Sequence, residues 1–146
     1  MSRNLERQVL FSHLQSIWQP EFGPIAWPNI EFVVPDNSRW AGVGIVYSDS
    51  YRASLGRDYF KRHEGVLQID LFSPTGLGSS PNLQAVDYLE GIYESLVLVC
   101  GTENIYFEDI STVQLSINEE RATRLNDNWL RHVISCEFRR DSHLIK

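Results

Sequence analysis

The apolar residues near the start of the chain recur at intervals of three and four, which is the period of an amphipathic helix. The pattern predicts a helix over residues 4–18, ended by Pro20 and by Gly23-Pro24. Residues 19–29 then predict an irregular linker whose aromatic side chains need cover. The apolar stripe of the helix consists of Leu10, Leu14, Ile17 and Trp18.

After the linker, apolar positions alternate with polar ones, as they do in a half-buried strand. Strands over 30–34 and 40–47, separated by the turn residues 36–38, predict a β-hairpin. Residues 48–58 are polar without a clear period and predict a long exposed connection or the tip of a ribbon. Residues 59–72 alternate regularly and predict the clearest strand of the chain.

A turn-rich loop over residues 73–81 leads into the strongest helical pattern, over 82–99. Ser80 is the predicted N-cap, with Pro81 at the first helical position. Gly101 is the predicted stop signal, in the position that glycine favours after a helix. The apolar face of this helix consists of Ala85, Val86, Leu89, Ile92, Tyr93, Leu96, Val97 and Cys100.

The last part of the chain alternates again. It predicts a short strand over 104–107, a second over 113–117 and a long strand over 129–138. Residues 118–127 predict a charged turn, and residues 139–146 a frayed tail.

The predicted order is α-β-β-β-α-β-β-β. This is an α+β fold, with two helices packed on one face of a mostly antiparallel sheet. A length of 146 residues fits one domain, 1–146. The hydrophobic share of 42% and the charged share of 22% are those of a globular protein, which excludes a disordered tail or a collagen-like rod. Apolar runs fall short of the roughly 18 residues that span a bilayer.

The net charge is −6, from 13 basic and 19 acidic residues, and it disfavours a protein that wraps nucleic acid. Both cysteines, Cys100 and Cys136, lie in apolar runs and are expected to be small buried hydrophobes, with a disulfide as the alternative. Residues 1–6 lead into a charged segment rather than an apolar signal region. A reducing cytoplasm is the expected setting.

Searching for catalytic and metal-binding patterns yields no candidate residues, so no enzyme, metal or cofactor is predicted. His63-Glu64 begins like a metalloprotease motif but lacks the second histidine. Asp70 is expected to be a solvated carboxylate on the outward face of its strand. The turn over residues 76–80 could cradle a phosphate at a helix N-terminus, although it lacks the lysine of a P-loop. A tight strand-to-helix turn is the alternative.

Positive charge is densest in the cluster Arg57, Lys61, Arg62 and His63. On a strand, Lys61 and His63 would share one face and Arg62 would lie on the other. One interpretation is an exposed sheet edge protected by charge, and the other is a surface that docks an acidic partner or DNA phosphate. The remaining arginines are expected to be solvated. They are Arg121, Arg124, Arg139 and Arg140.

Two segments resemble a known family. Residues 24–32 (Pro-Ile-Ala-Trp-Pro-Asn-Ile-Glu-Phe) are similar to its proline–x–alanine–tryptophan–proline–asparagine opening. Residues 62–78 are similar to its second signature, a strand ending in aspartate–aliphatic–phenylalanine followed by proline–x–glycine–x–glycine. The helix with Ala85, Val86 and Asp87 continues it. Over residues 4–110 the chain resembles the tail-terminator-like proteins of long-tailed phages and prophages.

This resemblance implies a structural subunit that closes into a ring, expected to be a hexamer. The ring would sit on the last ring of tail-tube protein, stop its polymerisation and offer the joining surface for the head connector. DNA would only pass through its channel. The protein would act in the host cytoplasm during assembly and then in the virion tail. The alternatives are a head–tail connector or another minor tail assembly factor, and a small phosphate-binding module using residues 76–80.

Candidate contact residues follow from exposure and aromatic character. Those for the contact with another subunit or with the tube are Arg57, Lys61, Arg62, Phe22 and Trp27. Core packing is the alternative for Trp27. The turn residues Pro74, Gly76 and Gly78 are assigned to backbone geometry rather than to ligand binding.

Overall fold

The computed structural model describes residues 3–52, 58–76, 78–115 and 129–145. Within these ranges it contains two α-helices, one short 3-10 turn and six strands. They are α1 (Arg3–Ile17), a 3-10 turn (Pro20–Phe22), β1 (Ile25–Ala26), β2 (Trp40–Arg52), β3 (Asp58–Pro74), α2 (Ser80–Tyr93), β4 (Val97–Cys100), β5 (Glu103–Leu115) and β6 (Trp129–Ile145).

The six strands form one sheet in the order β1-β2-β3-β6-β5-β4. Strand β1 is parallel to β2, and the other neighbouring pairs are antiparallel. The long strands β3 and β6 pair along their whole length, from Pro74 opposite Trp129 to Asp58 opposite Ile145. The predicted α+β class with a mostly antiparallel sheet is confirmed.

One face of the sheet, here called the inner face, carries the core. It presents Leu67, Ile69 and Leu71 from β3, all buried. Both helices pack on this face. Glu6 of α1 contacts Arg140 of β6, and Asn82 of α2 contacts His132, which lies on the same side of β6. The prediction that both helices share one face of the sheet is therefore confirmed.

Helix α1 follows the predicted stripe, with Leu10 and Leu14 fully buried. After it the chain turns sharply at Gly23, where φ is +89° and a Cβ would lie 2.0 Å from the carbonyl oxygen of Arg39. Only glycine fits such a left-handed backbone in so little space. Trp18 Nε1 donates to the carbonyl oxygen of Gly23 at 2.8 Å and covers this turn.

The predicted hairpin of residues 30–34 with residues 40–47 is wrong. Residues 31–35 have no secondary structure, and Val33 is 84% exposed. The place beside the start of β2 is taken by β1, because Ile25 pairs with Ala41 and Pro24 accepts a hydrogen bond from the Ala41 N–H at 2.9 Å. A segment cannot pair with a strand edge that another strand already occupies.

Helix α2 is shorter than predicted. It ends at Tyr93, and Ser95 has a left-handed φ of +58° that breaks the helix. Residues 97–100 form β4 instead, with Cys100 opposite Glu103. An apolar run of this length is compatible with helix or strand, and the β-branched valines favour the strand. The N-cap is Ser79 rather than Ser80, and its side chain makes no capping hydrogen bond.

The later strands are longer than predicted. The predicted strand over 104–107 and the start of the predicted strand over 113–117 belong to one strand, β5, with a bulge between Phe107 and Ile110 that shifts the alternation. Residues 116 and 117 lie outside the described residues. The expected charged turn over 118–127 lies outside the described residues. Residues 139–145, expected to fray, belong to β6 and pair with β3. Cys100 and Cys136 are both buried free thiols, as expected of small hydrophobes.

Candidate assembly surfaces

The basic cluster of β3 lies in the interior of the sheet, not at its edge. Lys61 is opposite Arg52 of β2 on one side and Ser142 of β6 on the other. The interpretation as a charge-protected edge is therefore wrong. Strands β2, β3 and β6 continue together past the core, and we call this part, residues 50–52, 58–63 and 140–145, the three-stranded extension. Arg57 lies outside the described residues.

Arg62 is neutralised by a neighbouring carboxylate. Its Nε and Nη2 donate to the two oxygens of Asp141 at 2.9 and 3.2 Å, and Asp141 raises the pKa of Arg62 further above its ordinary value. Beside this pair, the Tyr51 hydroxyl donates to Glu64 at 2.7 Å. Lys61, by contrast, forms no ion pair with a described residue. Of the two predicted contact residues, Lys61 therefore presents a positive charge to a partner, whereas the charge of Arg62 is balanced by Asp141.

His63 lies on the opposite side of β3 from Arg62. Its Nδ1 is 2.8 Å from the Ser50 hydroxyl, which accepts a hydrogen bond from Arg3 at 3.1 Å. Burial, followed by the nearby charge of Arg140, lowers the pKa of His63 below its ordinary value. The lowered pKa favours the neutral ring of His63. Through the Ser50 hydroxyl, this histidine connects Arg3 at the start of α1 with the three-stranded extension.

Phe22 and Trp27, both predicted contact residues, lie in different environments. Phe22 is 5% exposed and packs edge-on against Trp18 and Tyr88, at ring-centroid distances of 5.2 and 5.5 Å. It is a core residue of the single chain. Trp27 is half-buried, with its ring 5.2 Å from that of Phe11 on α1. Of these two residues, Trp27 is the one that offers an aromatic surface to a partner.

A shallow depression of about 310 Å³ lies beside Trp27, between α1 and the chain that follows β1. We call it the α1 groove. Its apolar walls are the side chains of Phe11, Trp27, Pro28 and Ile30, and Arg7 lies at its rim. Ile30 is 63% exposed, so the groove combines an uncovered apolar surface with a cation.

Gly76 and Gly78 have left-handed backbone conformations, with φ of +99° and +76°, and a Cβ at either would meet no atom within 4 Å. The turn needs glycine for its backbone conformation rather than for space, which supports the backbone role predicted for it. Pro74 precedes the turn as the last residue of β3. Asp70, expected to be solvated, accepts a hydrogen bond from Arg131 at 3.1 Å.

Two buried polar clusters were not predicted. Arg140, expected to be solvated, is fully buried, and its Nε donates to Glu6 at 2.8 Å. Asn82 Nδ2 lies within hydrogen-bond distance of the carbonyl oxygens of Leu71 and Leu130 and of His132 Nδ1, at 3.3, 3.1 and 3.1 Å. The alternation of β6 places His132 on the same side as Ile134 and Cys136. It does not indicate that Asn82 and Glu6 are the partners of His132 and Arg140.

Both sides of the sheet have strand edges that the described chain leaves unpaired. Strand β1 covers β2 only at Ala41 and Gly42, and β4 pairs with β5 only from Glu103 to Tyr106. Strand β4 itself is an outer strand of the sheet, and its Val97 and Val99 are 48% and 71% exposed. Unpaired edges of this kind can accept a strand or a surface from another chain.

A second depression, of about 330 Å³, lies between α2 and the unpaired part of β5. We call it the acidic groove. Glu90, Glu94, Glu108 and Asp109 line it together with Ile110. Within it, Glu90 accepts a hydrogen bond from the Thr112 hydroxyl at 2.6 Å, and Glu108 lies 3.7 Å from Arg139.

Among the described residues, no group of three or more His, Cys, Asp or Glu side chains has the geometry of a metal site. No described helix has the length and apolar character needed to cross a membrane. The candidate contact sites in the described part of the chain are therefore the three-stranded extension, the two grooves and the unpaired strand edges.

Comparison with known proteins gives one family. The profile described as "Phage tail terminator protein" matches residues 7–138 of the chain. No curated protein sequence matches. Solved structures with a similar fold exist. One of them has a TM-score of 0.63 and 21% sequence identity over 97% of this chain and 95% of that chain. At that identity the likeness concerns the fold alone.

Proposed function

The chain belongs to the phage tail terminator family, and on that premise we propose that it caps the tail tube. In this role a ring of copies, with six as the expected number, sits on the last ring of tube protein and stops further polymerisation. Its other side offers the joining surface for the head connector. The role is structural and requires no catalytic centre.

The observation that carries the proposal of a ring is the pair of unpaired edges. The edge of β2 and the edge formed by β4 and β5 lie on opposite sides of the strand order. They differ in sequence and surroundings, so a contact between them is head-to-tail. A head-to-tail contact closes into a ring when the rotation between copies allows it, and otherwise continues as a filament.

The three-stranded extension is the surface we propose for contact with the tube. It projects beyond the strand pairs that carry the core, and it carries Lys61 without an ion-pair partner among the described residues. Arg62 adds a hydrogen-bonded ion pair with Asp141. Arg57, which lies outside the described residues, is the further predicted contact residue. Trp27 is assigned to a contact between subunits rather than to the tube.

Passage of DNA is compatible with the charge of the sheet face that the helices leave uncovered. The arginines of this face pair with carboxylates: Arg62 with Asp141 at 2.9 Å, Arg139 with Asp141 at 2.9 Å, and Arg131 with Asp70 at 3.1 Å. Binding to DNA depends on cations that neutralise phosphates. A chain of net charge −6 whose arginines are paired in this way should bind DNA weakly.

The test is assembly of tails with and without the protein, examined by electron microscopy. Without the protein, a terminator role gives tubes of abnormal and excessive length. Tubes of normal length beside tail-less heads would instead indicate a head–tail connector. Native mass spectrometry gives the number of copies in the ring. A chain that is monomeric alone and with tail tubes, whose loss leaves tail length uniform, contradicts the proposal.

The contact with the tube has its own test. Lys61→Glu reverses a charge that has no ion-pair partner among the described residues, and it should weaken binding to tube ends in a pelleting assay. Glu137→Lys, an exposed position of β6 nearer the core, is the control and should bind as the original chain does. Equal binding of the two variants would remove the extension from the contact while leaving the terminator role open.

A further inference from the structure

We infer that neighbouring copies join through opposite charges, with the acidic groove of one copy receiving the arginines of helix α1 of the next. This inference rests on the proposed ring and goes beyond it, because it names the two surfaces and the residues that meet. The pair that we place at its centre is Arg7 of one copy and Glu94 of its neighbour.

The acidic groove concentrates like charge on the surface of the isolated chain. Four carboxylates line it, from α2, from the residue that follows α2 and from β5, and among the described residues only Glu108 has an arginine nearby, at 3.7 Å. The side chains of Glu94 and Asp109 are exposed and form no hydrogen bond or ion pair with a described residue. Like charges at close range repel each other, so cations from another molecule would be favoured here.

The exposed cations that match the groove are on α1. Of the other arginines whose side chains the structure describes, four are ion-paired, and Arg39 donates to the main-chain oxygens of Glu21 and Pro81. Arg3 and Arg7 are exposed, lie one turn apart on the helix and bind no carboxylate among the described residues. Arg3 donates to the Ser50 hydroxyl and Arg7 to the Asn4 side chain, and both of these partners are uncharged.

The two surfaces flank opposite sides of α1, so they cannot meet within one copy. Arg3 stacks over Tyr47 of β2, with 5.3 Å between its guanidinium carbon and the ring centroid. Arg7 lies at the α1 groove, beside Trp27. On the other flank, His13 of α1 contacts Tyr93, the last residue of α2 before Glu94 and the acidic groove. A contact between the two flanks is therefore head-to-tail between copies.

Apolar surface adjoins the charges on both sides. Beside the acidic groove, β4 starts at Val97, and a hydrogen bond of 2.9 Å from the Phe107 N–H to the Leu96 oxygen brings that start next to Glu108. Beside Arg7, the α1 groove exposes Ile30 and part of Trp27. An apolar centre with charged neighbours is the usual composition of a specific protein contact.

The test uses two charge reversals, Arg7→Glu and Glu94→Arg, and the association of copies measured by light scattering and native mass spectrometry. Each variant alone should associate about tenfold more weakly or worse, because like charges then face each other. An equal mixture of the two should restore association, since each reversed charge then meets its opposite in an alternating ring. Glu137→Arg, an exposed carboxylate outside the groove, is the control and should associate normally. Unfolding curves of all variants verify that each is folded.

If the original chain forms rings only on tail tubes, the same comparison is made there by cross-linking. Single variants that assemble like the original chain overturn the inference, and so do weakened variants whose mixture fails to recover. Tail length is measured in parallel. Uniform tails capped by variant rings would overturn the charge contact while the terminator role stands. An original chain that forms no ring even on tubes would overturn ring closure itself.

Discussion

Arg140 and Glu6 form an ion pair across 134 residues of sequence, with 2.8 Å between Nε and Oε2 and both side chains almost completely buried. Arg140 Nη1 also donates to Glu103 of β5 and to the Ser142 hydroxyl. The last strand of the sheet therefore holds the first helix through charge. This fixes the position of α1, whose exposed side carries Arg3 and Arg7.

Removing the charge of Glu6 should destabilise the fold strongly. In Glu6→Gln the buried guanidinium loses one of its two carboxylate partners, and breaking a buried pair costs about 3 kcal/mol or more. Chemical denaturation at neutral pH measures the loss in free energy of unfolding. Glu137→Gln, which is exposed on the same strand as Arg140, is the matched control and should change stability by less than about 0.5 kcal/mol. Equal stabilities of the two variants would contradict a role for the pair.

The sequence could predict those elements whose apolar period is unambiguous. Helix α1 and strand β3 follow their patterns closely, because each has one buried side and one exposed side. The end of β6 could not be predicted, because Arg140 has the character of a solvated tail residue until Glu6 and Glu103 are known to surround it. Burial of a charge depends on partners that are distant in sequence, and no local pattern encodes them.

Packing at Gly65 should not tolerate even one extra carbon. A Cβ there would lie 2.7 Å from Cζ of Phe138 and 3.1 Å from the carbonyl oxygen of Val46. Phe138 is 1% exposed, and the surrounding core restricts its movement. Gly65→Ala should therefore lower the free energy of unfolding by about 1–3 kcal/mol. Gly44→Ala is the control on the neighbouring strand, since its Cβ would meet no atom within 4 Å. Thermal unfolding of both proteins makes the comparison, and a smaller loss at Gly65 than at Gly44 would contradict it.

Asn82 should be more important for stability than its polar character suggests. It is fully buried and is the only described side chain that connects α2 with main-chain oxygens of both β3 and β6. In Asn82→Ala these acceptors lose their donor, and an unsatisfied buried group costs about 1–3 kcal/mol. Asp87→Ala, on the exposed side of the same helix, is the control and should be nearly neutral. Urea unfolding distinguishes the two, and equal effects would remove the proposed function of the amide.

For the candidate contact residues too, the local sequence pattern predicts some features, and others depend on contacts between segments that are distant in sequence. The separation of Lys61 and Arg62 onto opposite sides of β3 follows from the period of a strand. The burial of Phe22 depends on its contact with Tyr88 of α2, and the accessibility of Trp27 depends on how its ring lies against Phe11 of α1. The acidic groove joins Glu94 with Glu108 across a helix end and a strand bulge, and no spacing in the sequence indicates it.

Mild acid should destabilise the protein through its buried histidines. Burial lowers the pKa of His132 below its ordinary value, and its Nδ1 accepts a hydrogen bond from Asn82, which requires the neutral ring. The unfolded chain therefore binds the proton more readily than the folded chain does. The contribution is complete above the unfolded pKa of about 6.5 and is lost as the pH falls towards the lower folded pKa.

The measurement is the free energy of unfolding at several pH values from 7.5 to about 5. One such histidine adds a slope of up to about 1.4 kcal/mol per pH unit in this interval. His132→Gln should flatten the dependence whatever its stability at pH 7.5, because the variant has one titrating group fewer. His63→Gln should flatten it as well, since burial and Arg140 lower the pKa of His63 too. An unchanged slope in His132→Gln would show that the folded protein accepts the proton on this ring. Asn82 would then have to release its hydrogen bond to His132 without loss of stability.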